Sequence, residues 1–207
     1  MTQRVLLRPA QPDDAVIAAS LLHLAMGGTA ELFADSESGL SPGKLLAALF
    51  TCRGGRFSYQ FGTVLKADNV LSGLLISFPA SKMMLLDLIT GINLLSVLGL
   101  RAMIRLTKKM SSMISVHEAE RGEYYISNLG VLPDFQGNGY GARLLTFAEE
   151  QARKLMLRKC SLTVDEHNDG AIRLYQRYGY EIVFSGKYNS GYAEKESGYH
   201  RMVKELA

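Results

Sequence analysis

The sequence predicts an α/β (α+β) fold: a mixed, mostly antiparallel seven-stranded sheet flanked by helices, with one parallel pair near its middle. Three observations predict it. Two β-rich segments flank a tight turn early in the chain, and the second half alternates strand, helix, strand, which implies a parallel pair joined by a crossover. The third is the overall balance: 207 residues, 47% hydrophobic and 21% charged, enough to bury one core without disulfide or metal staples. A single domain over 1–207 is expected.

The elements follow in order. Arg4 to Arg8 reads as a strand, and Pro9 to Pro12 as a turn whose Asp13 and Asp14 cap a helix running to about Met26, ended by Gly27-Gly28. Ser41-Pro42 combines a capping hydroxyl with a proline at the first helical position, before the apolar run Leu45 to Phe50. Phe57 to Leu65 and Val70 to Phe78, separated by Asp68-Asn69, read as a hairpin. Met83 to Met113 predicts one or two apolar helices broken near Gly99, an insertion of about 83–122 between the third and fourth strands. Tyr124 to Val131 is a strand, Tyr140 to about Arg158 a helix, Ser161 to Val164 a strand and Asp169 to Tyr178 a helix. Strands near Ile182 and Met202 complete the set.

Several classes are disfavoured. A net charge of +3, with basic residues spread along the chain, does not call for nucleic acid. Cys52 and Cys160 are too few for a disulfide framework and match no metal-site spacing; both read as reduced thiols, and no metal is expected. Met1 to Pro12 holds no secretory apolar run, so a cytoplasmic location is expected. Asp87, Asn93, Arg101 and Arg105 interrupt Met83 to Leu106, which argues against a spanning membrane segment. The methionines of the insertion, Met83, Met84, Met103, Met110 and Met113, suit core or a homodimer surface, or else a lid over an apolar or peptide-like acceptor.

The chemistry centres on the stretch from Val131 to Ala142, where a strand turns into a helix. Gly137, Gly139 and Gly141 at alternate positions leave the backbone uncluttered, so several N–H groups can face one concavity at the helix N-terminus. A pyrophosphate fits such a cradle. Gly137, Gly139 and Ala142 also satisfy the dinucleotide pattern, with Asp165 after the next strand. Against that, Leu132 to Gln136 separate the strand from the first glycine, and 66 residues after Gly141 are too few for a doubly wound sheet.

The string Val131-x-Pro133-x-x-Gln136-x-x-Gly139-x-Gly141 resembles the coenzyme A-binding motif of the GNAT superfamily of N-acetyltransferases. Asn168-x-x-Ala171-x-x-Leu174-Tyr175-x-x-x-Gly179-Tyr180 is similar to that family's next helix, and Arg8-Pro9-Ala10 with Asp14 to its start. The resemblance is specific over about 124–182. It implies acetyl-CoA as cosubstrate and a sheet that splays between the fourth and fifth strands to admit the pantetheine arm. Leu129, Gly130 and Val131 would meet pantetheine, Gln136, Gly137, Asn138, Gly139, Tyr140, Gly141 and Ala142 the pyrophosphate, and Asn168 and Tyr175 the cofactor from the next helix.

By the same resemblance Tyr175 is the catalytic acid that protonates the departing thiolate, and the Val131 N–H polarises the carbonyl. The general base departs from the family. Where relatives carry a glutamate, on the strand of Leu129 or on the next one, this chain holds Tyr125 and Thr163, leaving Glu123, His117, His167 or a water chain. The implied function is acetyl transfer to a primary amine, a small molecule or a peptide N-terminus, by direct attack in a ternary complex. A catalytically inactive coenzyme A-binding sensor or interaction module is the alternative.

Overall fold

The computed structural model describes residues 4–27, 29–30, 40–110, 116–187 and 198–206, without the side chains of 108–110. Its strands are β1 (Val5–Pro9), β2 (Gly62–Ala67), β3 (Val70–Pro79), β4 (Glu123–Val131), β5 (Lys159–Asp165), β6 (Glu181–Lys187) and β7 (Gly198–Glu205). The helices are α1 (Ala15–Met26), α2 (Pro42–Thr51), α3 (Met83–Met110), α4 (Tyr140–Lys154) and α5 (Asp169–Arg177). One seven-stranded sheet runs β1-β2-β3-β4-β5-β7-β6, and among the described residues β4·β5 is its parallel pair.

Local chemistry explains most boundaries. Asp68 and Asn69 both take positive φ, 47° and 69°, as a two-residue hairpin of type I′ demands. The Ser41 hydroxyl caps α2 through the Lys44 amide at 3.4 Å. At the start of the chain Asp14 accepts from the Gln11 amide at 2.8 Å and pairs with Arg8 at 2.7 Å, which ties β1 to α1. Gly99, at φ 75°, splits α3 into two helical stretches. Gly27 ends α1 at φ 55°, while Gly28 and Met113 lie outside the described residues.

Two boundaries differ from expectation. Phe57 to Phe61 is not strand: Ser58 takes the Gln60 amide, and Tyr59–Phe61 forms a 3-10 turn whose aromatic side chains pack into the core. The apolar content there serves packing rather than sheet. The α4 helix stops at Lys154, short of Arg158. The Leu157 amide donates to the Ala152 carbonyl and the Met156 amide to the Arg153 carbonyl, closing the end with Met156 in the left-handed region at φ 57°.

The sheet separates two apolar layers. Strand alternation sends the consecutive residues Tyr124 and Tyr125 to opposite faces. Tyr125 joins the α1–α2–α3 layer with Leu21, Leu46, Phe50 and Phe78, and Tyr124 joins the α4–α5 layer with Leu144, Ala148 and Met202. Glu149 of α4, buried, is held by Lys204 of β7 at 2.7 Å, which fixes the helix across the sheet. Cys52 and Cys160 are both free, and burial pushes the Cys160 thiol up to about 12.

Candidate active site

Strands β4 and β5 pair from Glu123↔Lys159 to Ile126↔Leu162 and no further. On its other side β4 continues against β3 as far as Gly73↔Val131. The register with β3 shifts at this level, because Ile76 opposes Asn128 while Ser77 opposes Ile126, leaving Ser127 as an extra, bulged residue. The bulge therefore falls one residue beyond the last β5 contact. It bends β4 away from its parallel neighbour, opening the sheet in the manner the family resemblance implies.

Backbone polarity follows from the ladder. The Leu132 amide bonds the Ser72 carbonyl at 2.9 Å, so Leu132 and Gly130 turn their polar groups toward β3, and Leu129 and Val131 turn theirs toward the opening. The Gln136 side chain donates to the Val131 carbonyl at 3.1 Å. This leaves the Val131 N–H and the Leu129 backbone facing the gap. Gly130 has a packing reason of its own: a Cβ there would meet the Leu21 carbonyl of α1 at 2.6 Å.

From β4 the chain passes through the single turn Pro133–Phe135 to Gly137 and Gly139, at φ 79° and 75°. Nothing lies within 4 Å of a Cβ built on either glycine, so the space before them is open. The Asn138 side chain donates to the Phe135 and Gln136 carbonyls, both at 3.2 Å. The side chains of Gln136 and Asn138 thus brace the loop, and the Gln136 amide is itself given to the Pro133 carbonyl at 3.1 Å, which leaves the amides after it for a ligand. Gly139 sits at the N-cap of α4 in the left-handed conformation and has no side chain to cap it, so the amides of Gly141 and Ala142 are left to an external acceptor.

Gly141 serves packing as well. A Cβ there would come within 3.1 Å of Leu174 and 3.9 Å of Leu129, so its absence lets α5 and β4 close on the head of α4. Tyr140 is buried. Beside the loop lies an open cavity of about 360 Å³, lined by Gly139, Ala142, Arg143, Thr146, Phe147 and Tyr178 among others. Arg143, exposed one turn into α4, is a cation that sequence reasoning passed over, although its place four residues after the N-cap glycine was readable.

Asn168 caps α5, its Oδ1 accepting from the Ala171 amide at 3.1 Å. Two turns on, Tyr175 is 7% exposed and packs in the layer that Leu129 and Val131 join, its ring 6.1 Å from that of Tyr180. Burial pushes its phenol up to about 12, so it stays protonated across the neutral range. None of the described groups hydrogen-bonds the Tyr175 hydroxyl.

The candidate bases fare differently. Glu123 is a buried strand residue, not a loop one: Arg201 grips it at 2.5 Å and the Glu120 amide at 2.8 Å, at the closed end of the β4–β5 pair. His117 is half exposed, with its ring against Phe184 and its Nε2 3.5 Å from Glu120. His167 is exposed beside Glu166. What does gather at the first open rung is a set that sequence reasoning did not assemble. The Tyr125 hydroxyl lies 3.1 Å from Thr163 Oγ1, Arg56 stands over the Tyr125 ring at 5.8 Å, and Glu118 pairs with Arg56.

The insertion supports this set. The Arg56 amide donates to Thr90 Oγ1 at 2.7 Å, Asp87 lies 3.2 Å from Arg56 Nε, and Leu86, Leu94, Ala102 and Leu106 are buried against the body. The outer side of α3 is apolar and exposed, with Met84 at 86% and Leu88 at 64%. By length and composition the helix Ala80–Thr107 could cross a membrane, an 18-residue stretch within it having mean hydropathy 1.9. Met83 and Met103 pack against the core.

Comparison with known proteins agrees with this geometry. Residues 99–180 match the family described as Acetyltransferase (GNAT) family. A mycothiol acetyltransferase of Propionibacterium freudenreichii is 35% identical over 81 residues, 39% of this chain and 24% of that protein. The matched regions span 24% to 47% of the first relatives' own lengths. In fold, an N-acetyltransferase of Staphylococcus aureus Mu50 aligns at TM-score 0.70 and 22% identity, covering 96% of this chain and 99% of that one. The yncA protein of Salmonella typhimurium, solved with its cofactor acetyl-CoA, aligns at TM-score 0.59 and 14% identity, covering 98% and 94%. Motif, strand opening, family match and fold converge: residues 99–180 match the GNAT family of acetyltransferases, and the chain shares its fold with solved acetyltransferases.

Proposed function

We propose that the protein is an N-acetyltransferase that moves the acetyl group of acetyl-CoA onto a primary amine, of a small molecule or a peptide N-terminus, by direct attack in a ternary complex. The observation that carries this reading is the divergence of β4 from β5 beyond Ile126, directly beside the open, glycine-lined head of α4. The acetyl-CoA of the yncA structure and the acetyltransferase names of the relatives support it. We read 1–207 as one domain, with a coenzyme A-binding core over about 124–182 and a helical insertion over about 83–122.

Pyrophosphate binds the backbone amides from Gly137 to Ala142, with Gln136 bracing the loop, where the helix dipole favours negative charge by roughly 0.3–1 kcal/mol. Pantetheine lies against Leu129 and Val131, extending the sheet where β5 has withdrawn. The amine nitrogen attacks the thioester carbonyl, whose oxygen the Val131 N–H polarises; the C–N bond forms, the C–S bond breaks, and the thiolate takes the Tyr175 proton. No metal enters this scheme, because the thioester is already activated.

The test is thiol release from acetyl-CoA with a panel of amines, peptides and polyamines, followed with a thiol reagent. Amine-dependent release is expected with at least one class. Tight coenzyme A binding with no release from any amine would instead identify a binding module that has lost catalysis.

A further inference from the structure

Resting on the reading above, the inference concerns the proton that the acceptor amine must lose. Around the last closed and first open rungs the strands offer hydroxyls, Tyr125 on β4 and Thr163 on β5, while Asp165 further along β5 is exposed and takes the His167 amide. The two hydroxyls are linked. Thr163 is the first β5 residue beyond the last β4 pair, half-buried, and its Oγ1 lies 3.1 Å from the Tyr125 hydroxyl. Arg56, which pairs with both oxygens of Glu118, stands over the Tyr125 ring at 5.8 Å, so the carboxylate lies beside this buried phenol and its charge helps to raise it above its ordinary range.

Glu118 comes from the loop before β4, and three elements place it. Arg56, from the turn before β2, pairs with both carboxylate oxygens, and Asp87 of α3 backs Arg56 at 3.2 Å. On the loop itself, the His117 amide donates to the Tyr199 hydroxyl at 3.1 Å, and Glu120 and Glu123 are held by Arg201. The titratable groups that face Glu118 are thus Arg56, Asp87 and the neutral phenol of Tyr125, while Glu120 lies between His117 and Arg201. The Glu118 side chain is 23% exposed, so it can exchange a proton with water.

We propose that Glu118 is the terminal proton acceptor of the reaction, reached from the acceptor nitrogen through the hydroxyls of Thr163 and Tyr125. As the C–N bond forms, the nitrogen becomes cationic and gives its proton to Thr163 Oγ1. Thr163 passes its own proton to the Tyr125 oxygen, Tyr125 passes its own to Glu118, and Glu118 releases one to water. Each hydroxyl ends as it began. Burial and the nearby carboxylate hold the Tyr125 phenol well above its ordinary range, which fits a group that relays protons and never rests as phenolate. Arg56 holds both oxygens of Glu118 and so aims it, which makes Arg56 a positioning residue.

The experiment compares Glu118→Gln and Tyr125→Phe with the wild-type full chain. It measures kcat/KM for acetyl transfer against pH and the rise in Tm caused by acetyl-CoA. Each variant should lose about 10²-fold in kcat/KM at neutral pH. The loss should shrink as pH rises and hydroxide takes the proton, while the acetyl-CoA shift in Tm stays at the wild-type value. Glu118→Asp should recover part of the rate. Wild-type rates and pH profile in either folded variant would overturn the proposal, as would an equal loss at every pH. If Glu118→Gln fails to fold, Tyr125→Phe decides, because it leaves the Arg56–Glu118 pair intact. Absence of turnover in the wild type would instead sink the transferase reading itself, and the relay with it.

Discussion

Tyr175→Phe should lower kcat by about 10²–10⁴-fold and leave KM for acetyl-CoA nearly unchanged, the usual span for loss of a positioned general acid. The substitution removes one hydroxyl that none of the described groups engages and keeps the ring that packs at 6.1 Å against Tyr180. Packing therefore survives, and with it the closure of α5 on Gly141 through Leu174. What disappears is a phenol that burial holds at about 12, protonated and ready when sulfur departs. Thermal stability and kinetics measured on one preparation separate the outcomes. A phenylalanine variant with full turnover would return Tyr175 to a packing role. A lowered Tm with turnover lost in proportion to unfolded protein would do the same.

Gly139→Val should raise the dissociation constant for coenzyme A by about 100-fold or more. Gly139 is the α4 N-cap at φ 75° and ψ 11°, a conformation that costs an ordinary residue roughly 1–2 kcal/mol and is a marked outlier for a β-branched one. A Cβ meets no protein atom within 4 Å, so the side chain projects into the open space where phosphate oxygens approach the Gly141 and Ala142 amides. Losing two charge-assisted hydrogen bonds, each worth about 1.5–3 kcal/mol, accounts for a hundredfold. Gly139→Asn separates the causes, since asparagine tolerates the left-handed region: it should keep Tm closer to wild type and still bind poorly. Unchanged affinity in a folded valine variant would place the pyrophosphate elsewhere.

The readable parts of the fold are those where neighbouring residues decide. Asp68-Asn69 marks a hairpin because a short polar side chain tolerates positive φ, and Asn168 marks a helix start because its amide reaches an N–H three residues on. Glycine at 137 and 139 is readable for the same reason, the backbone there being left-handed. Local signals mislead where tertiary packing takes over. The aromatic run Phe57 to Phe61 has strand composition and buries its rings from a 3-10 turn. The helix-forming residues of α4 run on in sequence through Leu155-Met156-Leu157 to Arg158, and no glycine announces the closure at Met156.

The proton-handling residues were the least legible. Glu123 has the look of a loop acid until Arg201, 78 residues away, is found on it. Glu118 sits in a polar stretch with no motif, and its meaning depends on Arg56, 62 residues earlier, and on Tyr125. The absence of a glutamate at positions 125 and 163, held by Tyr125 and Thr163, was visible in the sequence; the loop carboxylate beside the two hydroxyls was not, because spacing along the chain carries no trace of it.

The central claim is that this sheet opening and glycine-rich loop hold acetyl-CoA, and thermal denaturation with added ligand tests it most directly. A ligand that binds only the folded chain adds RT ln(1 + [L]/Kd), about 2.7 kcal/mol at a hundredfold excess over Kd. Acetyl-CoA should raise Tm progressively with concentration and lose most of that effect in Gly139→Val, while NAD leaves Tm unchanged. A rise with NAD and none with acetyl-CoA would contradict the account.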